Sequence, residues 1–205
     1  MTRYRSGAVL ISGASGALGR AGVTALVERG FHVYAGYRRS GDGEALRRIN
    51  PEMVSPVELD VTNPESVNSA AQRLEGPLHA LINNAGVLVS RSSASLQAEE
   101  LEHQLNVNVV GVLRVTQAFL PHLTRSAGRS GSPSRIITIS SPAALTAYPG
   151  GGAYCASKSA VEMLMETLRM EISPDTVRVI TLRPGFFTSR LWDRAAARSP
   201  DADPR

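Results

Sequence analysis

The stretch AVLISGASGALG, residues Ala8–Gly19, decides the fold of this 205-residue chain. A run of apolar residues leads through a glycine-rich turn into a pattern with helical spacing. A strand, a glycine turn and a helix N-terminus in this order make a pyrophosphate site, because glycine lets the backbone approach the anion and the helix dipole favours its charge. The turn could also be only a tight corner, but its context favours nucleotide binding. The loop residues predicted to bind a cofactor are Gly13, Ala14, Ser15, Gly16, Leu18 and Gly19.

Around this stretch, short apolar runs alternate with longer segments of helical spacing. The predicted strands are Ala8–Ser12, His32–Gly36, Val54–Leu59, Ala80–Asn83, Arg135–Ser140 and Arg178–Arg183. The predicted helices are Leu18–Arg29, Glu44–Arg48, Pro64–Leu74, Ala98–Leu123 and Ala153–Ile172. Apolar strands separated by helices indicate a parallel sheet with both faces covered. The sequence therefore predicts an α/β protein of the Rossmann type, a doubly wound parallel sheet of about six strands with helices on both faces.

The length predicts a single domain, residues 1–198. Two segments fall outside the pattern. Thr124–Ser134 is rich in Ser, Gly and Arg and is predicted to be a solvated connecting loop. Ser199–Arg205 has no large apolar residue to anchor it and is predicted to be a frayed tail.

Two arginines follow the second predicted strand. A site for NAD places an acidic residue there, on the ribose hydroxyls, whereas this chain has Arg38 and Arg39. A guanidinium pairs with a 2′-phosphate that a carboxylate would repel. The pair predicts NADP(H) rather than NAD(H), with Arg38 as the first choice of partner. Alternatively, both arginines are solvated residues of a surface loop and bind no phosphate.

Tyr154 and Lys158 lie four residues apart at the start of a helical pattern, so they share one face of that helix. A free phenol is a poor base at neutral pH, and a neighbouring ammonium is expected to lower its pKa. Ser141 follows a predicted strand, at the sheet edge where ligands of parallel sheets bind. Lys158 is also the only lysine among 22 basic residues, which indicates a specific need for an ammonium there.

Together these motifs resemble those of the short-chain dehydrogenase/reductase family, over nearly the whole chain. The matching segments are the glycine loop, Asp60-Val61, Asn83-Asn84-Ala85-Gly86, Asn106 to Gly111, Ser140-Ser141, Tyr154 to Lys158 and Arg183-Pro184-Gly185. In this order and spacing they are highly specific. The resemblance implies an oxidoreductase that acts on a small carbonyl or alcohol substrate.

The resemblance also implies roles for individual residues. Tyr154 would be the general acid or base, Lys158 would lower its pKa and hold the nicotinamide ribose, and Ser141 would stabilise charge on the substrate oxygen. Asn108 would help to seat a proton-relay water; Asn106 is two residues out of register. The other residues implied to contact the cofactor are Asp60, Val61, Asn84, Ala85, Gly86, Pro184, Gly185, Phe187, Thr188 and Ser189. Without the family resemblance, the residues alone indicate that Asp60 is a turn residue and that Asn108 is a helix asparagine with no particular function.

The sequence departs from the family pattern in two ways. The family loop reads Thr-Gly-x-x-x-Gly-x-Gly, whereas this chain has Ser12 and Ala17 in place of the threonine and the middle glycine. The chain also ends before the family's substrate-covering segment, last helix and seventh strand, so it is C-terminally short for the family. The short C-terminus keeps a second hypothesis open, a nucleotide-binding regulatory or scaffolding protein or a shortened relic that binds NADP(H) without turnover.

The composition limits the partners. The net charge of +4 is spread along the chain, so it predicts a solvated surface and no nucleic-acid partner. No apolar run is long enough to span a membrane, and the pattern of ligands gives no metal site. The single cysteine, Cys155, and the absence of a signal sequence predict a cytoplasmic protein. Two long helices, Ala98–Leu123 and Ala153–Ile172, match those through which the family pairs, and predict a homodimer or higher homo-oligomer.

Overall fold

The computed structural model describes residues 7–185, apart from the side chains of residues 128–130. Six strands form one parallel sheet in the order β3-β2-β1-β4-β5-β6. Their bounds are β1 Ala8–Ile11, β2 His32–Tyr37, β3 Val54–Glu58, β4 Ala80–Asn83, β5 Ser134–Ile139 and β6 Val177–Leu182. Five in-register ladders join them, for example Val9 with Val33 on one side and Ala80 on the other. The predicted Rossmann-type sheet of six strands is confirmed.

Six α-helices cover the two faces of the sheet. They are α1 Ala17–Glu28, α2 Asp42–Arg47, α3 Pro64–Arg73, α4 Ala98–Leu105, α5 Gly111–Ser130 and α6 Gly152–Glu171. Helices α3, α5 and α6 bury Val67, Phe119 and Met165 in one core. Helices α1 and α2 bury Val23 and Leu46 in a second core on the opposite face. The apolar strands thus have a helical layer on each side, as their sequences predict.

The predicted loop over Thr124–Ser134 is wrong, because α5 continues to Ser130. Ser126 and Ala127 are buried, so this turn of helix packs against the protein in spite of its polar composition. Gly131 then ends the helix in the left-handed conformation, with φ of 66°, which glycine adopts without steric cost. The side-chain hydroxyl of Ser134, the first residue of β5, donates to the carbonyl of Leu123 at 3.0 Å.

The long helix predicted over Ala98–Leu123 is interrupted by a π-helical turn, Asn106–Val110. Gly111 N–H donates to the carbonyl of Asn106, five residues back. Such turns often occur at functional sites, and this one contains buried Asn108. Ser199–Arg205, Phe187, Thr188 and Ser189 lie outside the described residues.

Candidate active site

Apart from Asn108, Tyr154 and Lys158, which lie on helices, the predicted site residues within residues 7–185 follow the carboxyl ends of the strands. The glycine loop follows β1, Arg38 and Arg39 follow β2, Asp60 and Val61 follow β3, Asn84 to Gly86 follow β4, Ser141 follows β5, and Pro184 and Gly185 follow β6. Because all six strands are parallel, these segments lie along one edge of the sheet. Strand order reverses between β1 and β4, which is the crevice where open α/β sheets bind ligands.

Close packing around the glycine loop explains why two of its positions are occupied by glycine. Gly13 has a φ of 62°, and a Cβ there would lie 2.8 Å from the Cα of Ala85. A Cβ on Gly19 would lie 2.4 Å from the carbonyl oxygen of Gly13. Gly16, in contrast, is exposed, and the nearest contact of a Cβ there would be 3.4 Å, an ordinary distance. Protein packing therefore requires Gly13 and Gly19, while Gly16 leaves open space at the start of α1.

Side chains of Ser12 and Asn84 tie this loop to the end of β4. The Ser12 hydroxyl accepts from the backbone N–H groups of Asn84 and Ala85, at 3.0 and 3.1 Å. The Asn84 amide donates to the carbonyls of Ser12 and Gly13, at 2.9 and 3.0 Å. Ser12, where the family has threonine, therefore stabilises this contact, and the Asn84 side chain positions the glycine loop.

Arg38 and Arg39 are exposed beside the glycine loop. The carbonyl of Gly36, two residues before Arg38, accepts from the N–H of Ala14 at 2.8 Å, so the end of β2 adjoins the loop. Neither arginine forms an ion pair with any residue in the described range. Their guanidinium groups are thus available to an anion at this edge.

Asp60, after β3, shapes its own turn. Its carboxylate accepts from the N–H and the hydroxyl of Thr62, at 2.9 and 2.7 Å. The backbone of the next residue, Val61, accepts from Arg114 at 2.6 Å. These contacts correspond to the turn role that the residues alone indicate; they leave the adenine contact implied by the family as a prediction.

Helix α6 brings Tyr154 and Lys158 to Ser141. Both α6 side chains are buried, and Lys158 Nζ lies 5.6 Å from the centroid of the Tyr154 ring. The Ser141 side chain lies near enough to the Tyr154 hydroxyl to lower its pKa, in opposition to burial. Lys158 Nζ donates to the carbonyl of Ile139, the last residue of β5, at 2.8 Å. The structure therefore gathers the three predicted residues from two elements into one cluster.

The protonation of this cluster differs from the expectation. Burial raises the pKa of Tyr154, which the Ser141 side chain only partly opposes. Burial also lowers the pKa of Lys158 to about 8, against the influence of Glu162. The prediction that the ammonium lowers the pKa of Tyr154 is wrong for this arrangement, because desolvation of the phenol is the largest cause. At neutral pH the phenol is held protonated.

Asn108 is buried, and its amide pairs with the backbone after β4. Its Oδ1 accepts from Val87 N–H at 2.9 Å, and its Nδ2 donates to the Val87 carbonyl and to the Ser157 hydroxyl, both at 3.0 Å. Gln104 makes a similar pair, donating to the Val87 carbonyl at 2.6 Å and accepting from Val89 N–H at 2.7 Å.

Gln104 and Ser157 are site residues that the sequence analysis missed. Both are fully buried, and the Ser157 hydroxyl donates to the carbonyl of Tyr154 at 2.8 Å. A network therefore runs from the segment after β4, through the π-helical turn, to α6 beneath Tyr154. Gln104 lies four residues before Asn108, on the same helical face; that spacing is the only sequence signal that could have found it.

The class of Rossmann-type nucleotide-binding proteins is defined by this arrangement: a glycine loop at the sheet's switch point, with exposed arginines beside it, and half-buried Ser141 next to buried Tyr154 and Lys158 on the same edge. The family model for short chain dehydrogenases matches residues 7–199. The chain therefore belongs to the short-chain dehydrogenase/reductase family, as its motifs predict.

Relatives and solved structures agree with this assignment. The chain is 34% identical over 193 residues to a 3-amino-tetrahydro-pyrrolizinone reductase from Xenorhabdus hominickii, with 91% of the chain and 63% of that protein covered. A Burkholderia cenocepacia short chain dehydrogenase in complex with NADP superposes with a TM-score of 0.80 at 34% identity, covering 91% of this chain and 75% of that one. A Brucella melitensis 3-ketoacyl-(acyl-carrier-protein) reductase complexed with NADH gives a TM-score of 0.84 at 25% identity, covering 91% and 78%.

None of the helices within residues 7–185 has the length and apolar character needed to cross a membrane. In the same range, no three or more His, Cys, Asp or Glu side chains are grouped so that they could hold a metal ion.

Proposed function

We propose that this chain is an oxidoreductase that transfers a hydride between NADP(H) and a carbonyl or alcohol substrate, with Tyr154 as the general acid or base. One observation carries the proposal: α6 places the Tyr154 ring 5.6 Å from Lys158 Nζ and near Ser141, at the sheet edge that also carries the glycine loop. A buried phenol beside a hydroxyl and an ammonium can hold a substrate oxygen and exchange a proton with it.

The residues at the sheet edge fit a dinucleotide. Helix α1 begins at Ala17, and its N-cap residue Gly16 has no side chain to cap it, so the N–H groups of the first turn can bind an anion. Arg38 and Arg39 would hold a 2′-phosphate by charge-assisted hydrogen bonds. A nicotinamide cofactor, when bound, supplies or accepts the hydride.

The chain's own residues would handle the proton. In reduction, the Tyr154 hydroxyl donates its proton to the substrate oxygen, while the Ser141 hydroxyl donates a hydrogen bond to the same oxygen. In oxidation, Tyr154 accepts the proton of the alcohol. Because the pKa of Tyr154 is raised, the phenol is protonated at neutral pH, which is the form that donates the proton in carbonyl reduction.

NADP(H) is proposed over NAD(H) because of the two exposed arginines after β2. The solved relatives include complexes with NADP and with NADH, so family membership alone leaves the choice open. A carboxylate at this position would favour the ribose hydroxyls of NAD, whereas guanidinium groups favour the extra phosphate.

The test is a turnover assay with NADPH and a panel of aldehydes and ketones, followed by the nicotinamide absorbance. Tyr154→Phe should lower kcat roughly 10²- to 10⁴-fold and leave the Kd for NADP⁺ unchanged, since only the proton donor is lost. Tyr34→Phe is the matched control; its hydroxyl bonds the Glu75 carbonyl at 3.2 Å, away from this edge, so activity should persist. Bound cofactor with no turnover on any substrate would sink the proposal and favour a non-catalytic binder.

Association of like chains is a further part of the proposal. Met163 and Met170 are 69% and 76% exposed and lie seven residues apart on α6, one of the two helices expected to pair. Large apolar side chains on one helix face are typical of an interface. A homodimer is therefore proposed, and the cytoplasmic location stays a prediction.

A further inference from the structure

Glu162 lies one helical turn beyond Lys158 on α6, so both side chains are on the same face of that helix. Its carboxylate forms a two-point ion pair with Arg183, with Arg183 Nε 2.8 Å from Oε1 and Nη2 2.5 Å from Oε2. The Glu162 side chain is 13% exposed and that of Arg183 46%, so the carboxylate is the less solvated end of this pair. Two parallel hydrogen bonds fix the orientation as well as the distance of the partner.

Arg183 follows β6 directly and precedes Pro184 and Gly185. The ion pair therefore connects α6, which carries Tyr154 and Lys158, with the turn after β6 on the same sheet edge. Lys158 itself is bonded to the end of β5 through Ile139. Helix α6 is thus joined to two neighbouring strand ends, by Lys158 to one and by Glu162 to the other.

We propose that Glu162 is a positioning residue of the active site, which holds the Arg183–Gly185 turn against α6 so that the cofactor-binding turn and the Tyr154–Lys158 pair keep a fixed separation. This inference rests on the proposed function, since it assigns Glu162 to the same site. Glu162 acts through Arg183 and Lys158, and it needs no contact with a substrate.

The charges around Lys158 support the same role. The titratable groups that act on Lys158 or lie beside it are Glu162 and Tyr154, both on α6, and Arg183 reaches this cluster through Glu162. Glu162 is the group among these that favours the ammonium, since its negative charge raises the pKa of Lys158 against the effect of burial. Removing that charge should deprotonate Lys158 at lower pH, in addition to releasing the turn.

Glu162→Gln is the informative variant, and Glu166→Gln is its matched control. Glu166 pairs with Arg169 on the same helix, but its side chain is 51% exposed and its pair spans a single helical turn. For Glu162→Gln the Kd for NADP⁺ should rise roughly three- to tenfold. The apparent pKa of Lys158, read from the pH profile of cofactor affinity or activity, should fall. Glu166→Gln should change neither quantity, and Glu162→Asp should restore the pH dependence because it restores the charge.

Arg183→Met tests the link from its other end and does not disturb α6. If Glu162 acts through Arg183, this variant and the double variant should raise the Kd for NADP⁺ as much as Glu162→Gln does, without adding. A Kd within twofold of wild type for Glu162→Gln, or additive effects, would overturn the inference. Wild-type protein that binds NADP⁺ without turnover would refute the proposed function alone; wild-type protein that binds neither nicotinamide cofactor would overturn both.

Discussion

Lys158 Nζ donates a hydrogen bond to the carbonyl oxygen of Ile139 across 2.8 Å. Ile139 ends β5 and Ser141 lies two residues further, so this bond fixes α6 to the strand end that carries the serine. The contact satisfies one of the three ammonium donors, but it does not offset burial, which lowers the pKa of Lys158 to about 8. A lysine held in this way costs folding free energy while it is charged.

The stability of the protein should therefore depend on pH through Lys158. Its unfolded pKa is 10.5 and its folded pKa about 8, so between these values the unfolded chain binds more protons and stability rises with pH. Relative to Lys158→Met, the free energy of unfolding of wild type should increase by about 2 kcal/mol between about pH 7 and pH 9.5. Urea titrations at the two pH values measure this. Parallel changes in both proteins would contradict the lowered pKa.

The pH dependence of oxidation should report Tyr154. Oxidation needs the phenolate, and the pKa of Tyr154 is raised by burial, so the rate of alcohol oxidation should keep rising through the alkaline range. The Ser141 side chain opposes this shift, so Ser141→Ala should move the rising limb to higher pH while also slowing the reaction. Profiles of kcat/KM for both proteins decide the point. A plateau reached by about pH 8, as a lowered pKa would give, is incompatible with this prediction.

The sequence predicted the strands well because each is a short apolar run between turn residues, and it predicted the Ser141, Tyr154 and Lys158 cluster from spacing and family motifs. It failed where burial decides the outcome. Ser126 and Ala127 extend α5 because they pack into the core, which their composition does not show. The pKa of Tyr154 likewise depends on desolvation, which no spacing of residues reveals.

Variants of the glycine loop should separate an effect on cofactor binding from an effect on stability. Gly16→Ala adds a Cβ at an ordinary 3.4 Å from the nearest atom, so the melting temperature should hardly change, but the methyl group would fill the space proposed for the pyrophosphate and weaken NADP⁺ binding. Gly19→Ala places a Cβ 2.4 Å from the Gly13 carbonyl oxygen, so this variant should lose stability. Thermal melts and NADP⁺ titrations on both test the pair; equal affinity for wild type and Gly16→Ala would place the phosphates elsewhere.

Cofactor preference should depend on Arg38. Replacing it with Ala should raise the KM for NADPH roughly 10- to 100-fold and leave that for NADH unchanged, because only the 2′-phosphate loses a charged hydrogen bond. Arg48→Ala, an exposed arginine at the end of α2, provides the matched control and should change neither KM. Equal losses with both cofactors would show that Arg38 does not recognise the phosphate, and Arg39→Ala then examines the second candidate.

Asn108 should contribute mainly to the stability of the fold, whatever its role in the reaction. Its amide pairs with both the N–H and the carbonyl of Val87, at 2.9 and 3.0 Å, so Asn108→Ala removes the partner of a partly buried backbone donor and one partner of the buried Ser157 hydroxyl. The free energy of unfolding should fall by on the order of 3 kcal/mol. Asn106→Ala, two residues earlier and only half-buried, should cost far less. Urea denaturation of the two variants compares them. Wild-type stability with a loss of turnover alone would contradict this prediction. The Asn108 amide would then act mainly in the reaction, and not by holding the segment after β4 in place.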